Sequence, residues 1–184
     1  MSYIPTPEQA LEILQKYNKE PFHILHANTV GTVLRHFAGI YDPDKLDYWQ
    51  AVGILHDIDY ELYASQHCVK AQEILRDMDI DENMIHSIAS HGYGICSDIK
   101  PESHMEKLLF ATDELTGLIW ATALMRPSKS VMDLEPKSVI KKFKQPSFAA
   151  SISRDVILDG LSMLDMDLEQ LISMTIEGMR KMEQ

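Results

Sequence analysis

The chain has 184 residues, of which 45% are apolar, and a formal net charge of −11 at pH 7. That length and apolar content suffice for one domain with a hydrophobic core, so we predict a single domain over residues 1–184. The negative charge disfavours binding to long nucleic acids, because such binding requires many phosphates to be neutralised.

Features of secreted and membrane proteins do not stand out in the sequence. The N-terminus has no basic region followed by an apolar stretch, and no apolar run approaches the ~18 residues that cross a bilayer. Cys68 and Cys96 are the two cysteines and do not form a C-x-x-C pair, which disfavours a disulfide framework and a zinc ribbon. We therefore expect a soluble, cytoplasmic protein in a reducing compartment, with no membrane partner.

The N-terminal part of the chain has the pattern of successive amphipathic helices. A capping box with proline at residues 6–9 predicts the start of the first helix. The second predicted helix carries His26 on its apolar face and ends near Gly39. The third ends with the adjacent residues His56 and Asp57.

Helical spacing continues towards the C-terminus. His67 is predicted on the apolar face of a fourth helix, His91 on a short helix after it, and Asp113 on a long one. Prolines then predict short helices, followed by two longer helices that begin near Arg154 and Leu168. No window alternates with a period of two residues, so we predict an all-α fold.

Six side chains in this pattern are good metal ligands: His26, His56, Asp57, His67, His91 and Asp113. Most of them lie on apolar helix faces, where an unpaired polar group is costly to bury. A divalent ion would satisfy them together, because imidazoles and carboxylates suit such ions and the helices of a bundle can converge on one site. Asp57 can bridge to a second ion. The alternative for His67 and His91 is a hydrogen-bonded position in the core.

These residues resemble the signature of the HD-domain superfamily of metal-dependent phosphohydrolases, which is a histidine, an HD dipeptide and a distant aspartate on helices. The chain has "HANTV" with His26, "ILHD" with His56 and Asp57, and "ATDE" with Asp113. In that family these four positions bind one metal ion, and two further histidines complete a second site in its two-metal branch. His67 and His91 occur in the order expected of those two histidines.

The resemblance implies an HD-type helical bundle as the metal-binding core at about residues 20–120. A C-terminal helical extension at about residues 125–184 lies outside it. The chain reads HDID where many members of the superfamily read HDIG, so Asp59 replaces a glycine. Asp59 can orient a ligand histidine or assist proton transfer as a second catalytic residue beside Asp57, or it can simply form a turn.

One segment opposes the overall charge. Residues 126–144 contain six basic and two acidic side chains, so their net charge is +4 and that of the remaining residues is −15. If this segment folds over the metal site, Arg126, Lys129 and Lys142 can hold phosphate oxygens. The alternative is a solvated helix face.

The resemblance implies an enzyme, a hydrolase that acts on a phosphate ester of a small phosphorylated metabolite or nucleotide. It implies one or two divalent ions as cofactor, with iron, manganese, zinc, nickel, cobalt and magnesium all open. A metal-activated hydroxide, positioned by Asp57, would attack phosphorus.

Two other functions stay open. The same six ligands can serve a di-iron oxygenase, as in the similarly ordered site of myo-inositol oxygenase. A non-catalytic regulatory module that binds a metal or a ligand is the other alternative. The apolar C-terminal helix can pack within the chain or against a second copy to form a homodimer.

Overall fold

The structure is a computed structural model that describes residues 2–183, and within that range it is built from helices and contains no β-sheet. The predicted all-α fold is confirmed. The α-helices are α1 (Pro7–Tyr17), α2 (Pro21–Tyr41), α3 (Leu46–Leu55), α4 (Tyr60–Tyr63), α5 (Val69–Arg76), α6 (Glu82–Ala89), α7 (His104–Leu124), α8 (Pro136–Phe143), α9 (Arg154–Ser162) and α10 (Leu168–Arg180). Among residues 2–183, no helix has the length and apolarity of a membrane span.

Several helices begin at the residues that the sequence indicates. Thr6 caps α1 and exchanges hydrogen bonds with Gln9, as the predicted capping box requires. Asp167 caps α10 in the same way. These caps satisfy backbone N–H groups that have no partner within the helix, and they fix where each helix starts.

The crossing of α2 and α3 is set by two glycines. A Cβ atom on Gly53 would lie 2.7 Å from Gly31 Cα and 2.8 Å from Gly31 N, so neither position tolerates a side chain without separating the helices. His26 lies one to two turns before this contact on α2, and His56 lies three residues after it on the chain. The close crossing therefore brings these two histidines together.

The long helix α7 joins the N-terminal and C-terminal parts of the fold. Trp120 Nε1 donates a hydrogen bond to Thr29 Oγ1 on α2 at 3.2 Å. Helix α9 contacts α7 at Gly160, where a Cβ atom would lie 2.7 Å from the Ala111 Cβ. Helix α10 packs within the chain against α2, α7 and α8, and its apolar residues Leu171 and Ile172 are fully buried.

Three predicted helix positions differ from the structure. His67 lies in the turn before α5 rather than on it, and the left-handed backbone of Cys68 (φ 66°) explains why α5 cannot begin earlier. His91 lies in a 3₁₀ turn at Ser90–Gly92, directly after α6. Gly39 does not end α2, which continues to Tyr41.

Candidate metal centre

The structure brings all six predicted ligand side chains into one cluster. His26 comes from the N-terminal part of α2, and Asp113 from the middle of α7. His56 and Asp57 lie in the turn after α3. Each of the other two histidines, His67 and His91, lies in a turn at the end of a helix. Positions that are up to 87 residues apart in the sequence therefore meet at one point.

Three donors form the first part of the cluster, which we call group A: His26, His56 and Asp113. His26 Nε2 lies 2.9 Å from Asp113 Oδ1 and 3.2 Å from His56 Nε2. His56 Nε2 lies 3.3 Å from the same Asp113 oxygen. Two ligands of an ion with bonds of about 2.1 Å are separated by about 3.0–3.4 Å, depending on coordination geometry. Group A therefore matches the donor separations of a divalent metal site.

The remaining two histidines, His67 and His91, form group B. Their Nε2 atoms lie 3.1 Å apart. Asp57 lies between the two groups, because its Oδ1 is 3.3 Å from His67 Nε2 and 3.4 Å from His91 Nε2. Its other oxygen, Oδ2, is 3.3 Å from His56 Nε2 and 3.6 Å from His26 Nε2. One carboxylate thus offers an oxygen to each group.

Hydrogen bonds on the outer side of the rings orient three of the histidines. His56 Nδ1 donates to the Gly53 carbonyl at 2.7 Å, and His91 Nδ1 donates to the Ile88 carbonyl at 2.6 Å. A carbonyl can only accept, so Nδ1 carries a proton in both rings, and when the ring is neutral its Nε2 lone pair faces the cluster. Neutral imidazole in this tautomer is the form that binds metal ions.

Asp59 performs the same task for His67. Its Oδ1 accepts a hydrogen bond from His67 Nδ1 at 2.7 Å, and its Oδ2 accepts one from the Ala71 N–H at 2.8 Å. The side chain is completely buried and both oxygens are engaged. Of the roles considered for Asp59, this arrangement matches orientation of a ligand histidine, so Asp59 is a positioning residue.

The cluster concentrates charge in a buried place. Burial disfavours the charged form of His56, but Asp57 and Asp113 outweigh burial and raise the His56 pKa well above its usual value. Burial also disfavours ionised Asp57, yet the neighbouring His56 and a hydrogen bond with His91 hold the Asp57 pKa well below its usual value. The two carboxylates therefore require positive charge beside them. A divalent cation supplies it while leaving the imidazoles neutral.

Two glutamates that the sequence did not predict as site residues are held by hydrogen bonds, Glu61 near His23 and Glu114 directly after Asp113. Glu61 accepts hydrogen bonds from the Lys19 and Glu20 N–H groups and from His23 Nδ1, the last at 2.9 Å. Glu114 accepts one from the Ser153 N–H at 3.2 Å, and burial together with the nearby carboxylate of the preceding residue raises its pKa. The sequence signal for Glu114 is its adjacency to the predicted ligand Asp113, whereas Glu61 is not adjacent to any predicted ligand.

An exposed aromatic row runs along one side of the cluster. The Tyr60 ring packs edge-on against the ligand His67, with centroids 5.2 Å apart. His23 lies 5.7 Å from Tyr60 and 6.1 Å from Phe22, again between ring centroids. Phe22 and Tyr60 are 72% and 45% exposed. Phe22 lies one helical turn before His26, so this row borders both donor groups.

Two of the three predicted phosphate-binding residues follow the C-terminal end of α7, Arg126 two residues after it and Lys129 in the next turn. Helix α7 extends eleven residues past Asp113, a rise of about 17 Å along the helix axis. There Arg126 pairs with Asp133, with Nη2 2.9 Å from Oδ2. Lys142 lies with its Nζ 4.5 Å from the centre of the Phe148 ring.

A large open recess lies elsewhere on the surface and is a different feature from the cluster. Its lining includes Arg35, Trp49, Arg76 and His86, and none of the six donors is among the described residues that line it. The donors themselves are partly accessible, since the side chains of His26, Asp57 and Asp113 are 20–22% exposed. A small molecule can therefore reach the cluster directly from solvent.

No family model, curated protein or solved structure matched the chain. What the described residues define is an all-α protein in which His, Asp and Cys side chains are positioned to hold a metal ion.

Proposed function

We propose that this protein is a metal-dependent phosphohydrolase of the HD type that acts on a small phosphorylated metabolite or nucleotide. The observation that carries the proposal is Asp57, which offers one oxygen to group A and the other to group B. The resemblance in ligand order to the HD-domain superfamily supports it. The separations among the donor atoms fit divalent ions, and three of the Nε2 lone pairs are directed inwards by the hydrogen bonds on the outer ring nitrogens.

The residues divide the work between holding the ions and orienting the ligands. Group A with Asp57 Oδ2 would hold one ion, and group B with Asp57 Oδ1 a second. Bound divalent ions supply Lewis acidity, which neutralises charge on phosphoryl oxygens and makes a water nucleophilic near neutral pH. Asp59 keeps His67 in the tautomer that leaves Nε2 unprotonated.

The aromatic row supports a substrate with a planar group. Exposed aromatic rings beside an active site are favourable surfaces for stacking or edge contacts with a base or another ring. Phe22 and Tyr60 occupy such a place next to the donors. This favours a nucleotide over a small aliphatic phosphate ester.

One observation favours the oxygenase alternative. Arg126 is paired with Asp133 after the end of α7, whereas the acidic Glu114 directly follows the donor Asp113. Acidic neighbours repel a phosphate group but accommodate a neutral polyol. The six ligands would equally hold two iron ions, so the chemistry must be separated by experiment.

Metal content is the first measurement. We expect two ions per chain by elemental analysis of protein purified without oxygen, and one in a His67→Ala/His91→Ala variant. A His104→Ala variant is the control, because His104 is exposed and outside the cluster, and it should retain two. If none of the divalent metals tested binds to the protein, the proposal is overturned.

Activity then separates the functions. Wild-type protein loaded with manganese should release phosphate from at least one member of a nucleotide and sugar-phosphate panel, and an Asp57→Asn variant should not. Oxygen uptake with a polyol and iron, without phosphate release, would replace the proposal with the oxygenase. Tight metal binding with neither activity would replace it with the regulatory module.

A further inference from the structure

Two cysteines that the proposed chemistry does not use lie against group B. Cys68 directly follows His67 and is fully buried, whereas Cys96, in the loop after the Ser90–Gly92 turn, is partly exposed. Their Sγ atoms lie 2.7 Å apart although both are free thiols. A disulfide bond is about 2.05 Å long, so a small displacement would join them.

The backbone around both cysteines accommodates this contact. Cys68 holds a left-handed conformation, with φ 66°, which a side chain with a Cβ atom rarely adopts. Cys96 is held by a hydrogen bond from its N–H to the Gly92 carbonyl at 2.9 Å. A Cβ atom on Gly92 would overlap both sulfur atoms. A glycine at position 92 therefore gives the two thiols room to meet.

The pair also touches the metal ligands. Cys68 Sγ lies 3.9 Å from His91 Nε2. The donor atoms of Cys68, His67 and His91 all lie within 4.8 Å of one another. Any covalent change at the sulfur atoms would therefore occur in contact with group B.

We propose that Cys68 and Cys96 form a reversible intramolecular disulfide, a redox modification site beside group B. In a reducing compartment, disulfides are characteristically transient and respond to redox conditions. The oxidant is a low-molecular-mass disulfide of the glutathione class. The inference rests on the two sulfurs and their surroundings, and it is independent of the reaction proposed for the metal centre.

The difference in exposure assigns the order of the steps. The thiolate of the accessible Cys96 attacks one sulfur of the small disulfide, so a mixed disulfide forms and one small thiolate leaves. The sulfur of the buried Cys68 thiol then attacks the Cys96 sulfur and expels the second small thiolate, which takes up the proton that Cys68 loses. The protein loses two electrons and two protons, and one small disulfide becomes two small thiols.

The disulfide would tie the segment that carries His67 to the segment that follows His91. Cross-linking two positions 28 residues apart restricts the unfolded chain. We therefore expect oxidation to raise the Tm by about 5–10 °C. It would also fix the two histidines of group B relative to each other.

The test uses the full chain and a series of ratios of oxidised to reduced glutathione. Thiols counted after denaturation should fall from two to zero per chain, with a mass loss of two hydrogen atoms, no bound glutathione, and recovery with dithiothreitol. Two thiols that persist at every ratio would overturn the proposal. So would a disulfide between two chains.

Single variants test the order of attack. Cys68→Ser should stop at a mixed disulfide, with one glutathione on Cys96. Cys96→Ser should keep its single thiol unmodified while folded, because Cys68 is buried. If either variant does not fold, peptide mapping of oxidised wild-type protein decides, because the proposal requires a single cross-linked peptide that contains both cysteines.

Discussion

Asp57 and Asp59 are two residues apart in the sequence, yet they have different tasks. Asp57 is partly exposed and faces both donor groups, whereas Asp59 is fully buried behind His67. The intervening Ile58 is also buried, and its carbonyl accepts a hydrogen bond from the Asn18 side chain at 2.9 Å. This turn therefore places one carboxylate between the two donor groups and the other behind the His67 ring, where it accepts the Nδ1 hydrogen bond.

Replacing Asp59 by asparagine tests whether its hydrogen bond to His67 Nδ1 matters for metal binding. If the amide oxygen accepts the Ala71 N–H, the amide NH₂ faces His67 Nδ1, which must then accept and place its proton on Nε2. We expect affinity for the ion at group B to fall about 10–100-fold. Group A should bind as before. A two-site metal titration by calorimetry measures both.

The control for this substitution is Asp44→Asn, since Asp44 is exposed and lines the recess that contains none of the six donors. It removes the same charge without touching a ligand. If Asp59→Asn and Asp44→Asn titrate alike, the hydrogen bond to His67 has no role in metal binding.

At the scale of elements, the site depends on how closely α2 and α3 approach. Gly53 begins the "GILHD" segment, and its missing side chain allows direct backbone contact with Gly31. Any added atom there must push against backbone, which cannot move aside as a flexible side chain can. The distance between His26 and His56 therefore depends on the contact of Gly31 with Gly53, and neither glycine is one of the six donors.

Gly53→Ala should separate the two helices. We expect a loss of about 1–3 kcal/mol in the free energy of unfolding, from overpacking, and weaker binding of the ion at group A. Gly39→Ala is the matched control on α2, because its nearest neighbour would be Leu46 Cδ2 at 3.8 Å. Denaturant unfolding should show it unchanged or up to about 1 kcal/mol more stable. Equal stability of the two variants would contradict the role of the crossing.

Glu106 connects α6 to the start of α7 and so supports the helix that carries Asp113. Its Oε1 accepts hydrogen bonds from Ser87 Oγ at 2.7 Å and from His86 Nδ1 at 3.1 Å. Its Oε2 accepts hydrogen bonds from the Ser103 N–H, as part of the capping box of α7, and from the preceding Glu102 N–H. Burial disfavours the carboxylate, but Ser87 and the two backbone donors outweigh it and lower the Glu106 pKa below its ordinary 4.5.

A pH series on Glu106→Gln tests this connection. A lowered folded-state pKa means that the unfolded chain binds the proton more readily, so the contribution to stability is complete above about pH 4.5 and declines as the pH falls below it. The variant should be about 1.5–3 kcal/mol less stable at pH 7, because an amide cannot accept all these hydrogen bonds. The difference should shrink in acid. A difference that is independent of pH would show that the carboxylate charge is not involved.

At the scale of the whole molecule, the donors come from positions 26 to 113 and meet only in the folded chain. A ligand that binds the folded state alone raises its stability, by about 2.7 kcal/mol when the free ion is at one hundred times its Kd. For a chain of this size that corresponds to a rise of about 5–11 °C in Tm. Manganese should produce this shift in a thermal melt and a chelator should reverse it. His26→Ala should reduce it, and a shift of full size in that variant would place the ion elsewhere.

Acidic and basic residues are unevenly distributed along the chain. The chain is acidic overall, and its basic residues 126–144 follow the end of α7 rather than the donor cluster. A phosphate substrate would therefore depend on the bound ions for its charge balance. For the proposed phosphohydrolase, we therefore expect substrate binding to require bound metal ions.

Most helix positions and the six candidate donors can be predicted from the sequence alone. Helical periodicity and caps are local properties, so the starts of α1, α7, α9 and α10 follow from residues within one or two turns. The candidate donors could likewise be predicted without knowing their neighbours, because an imidazole or carboxylate on an apolar helix face is unusual by itself. The positions of His67 and His91 in turns were missed, since a left-handed residue such as Cys68 leaves little trace in the hydrophobic pattern.

Only the tertiary structure decided how the donors are grouped. The division into group A and group B, the shared Asp57 and the support from Asp59 depend on distances between atoms that are remote in the sequence. Those distances are set by helix crossings such as Gly31 against Gly53. The same holds for the Cys68 and Cys96 contact and for the pairing of Arg126 with Asp133. Local sequence determines which side chains lie on the surface of each helix. The packing of the helices determines which residues of other elements those side chains contact.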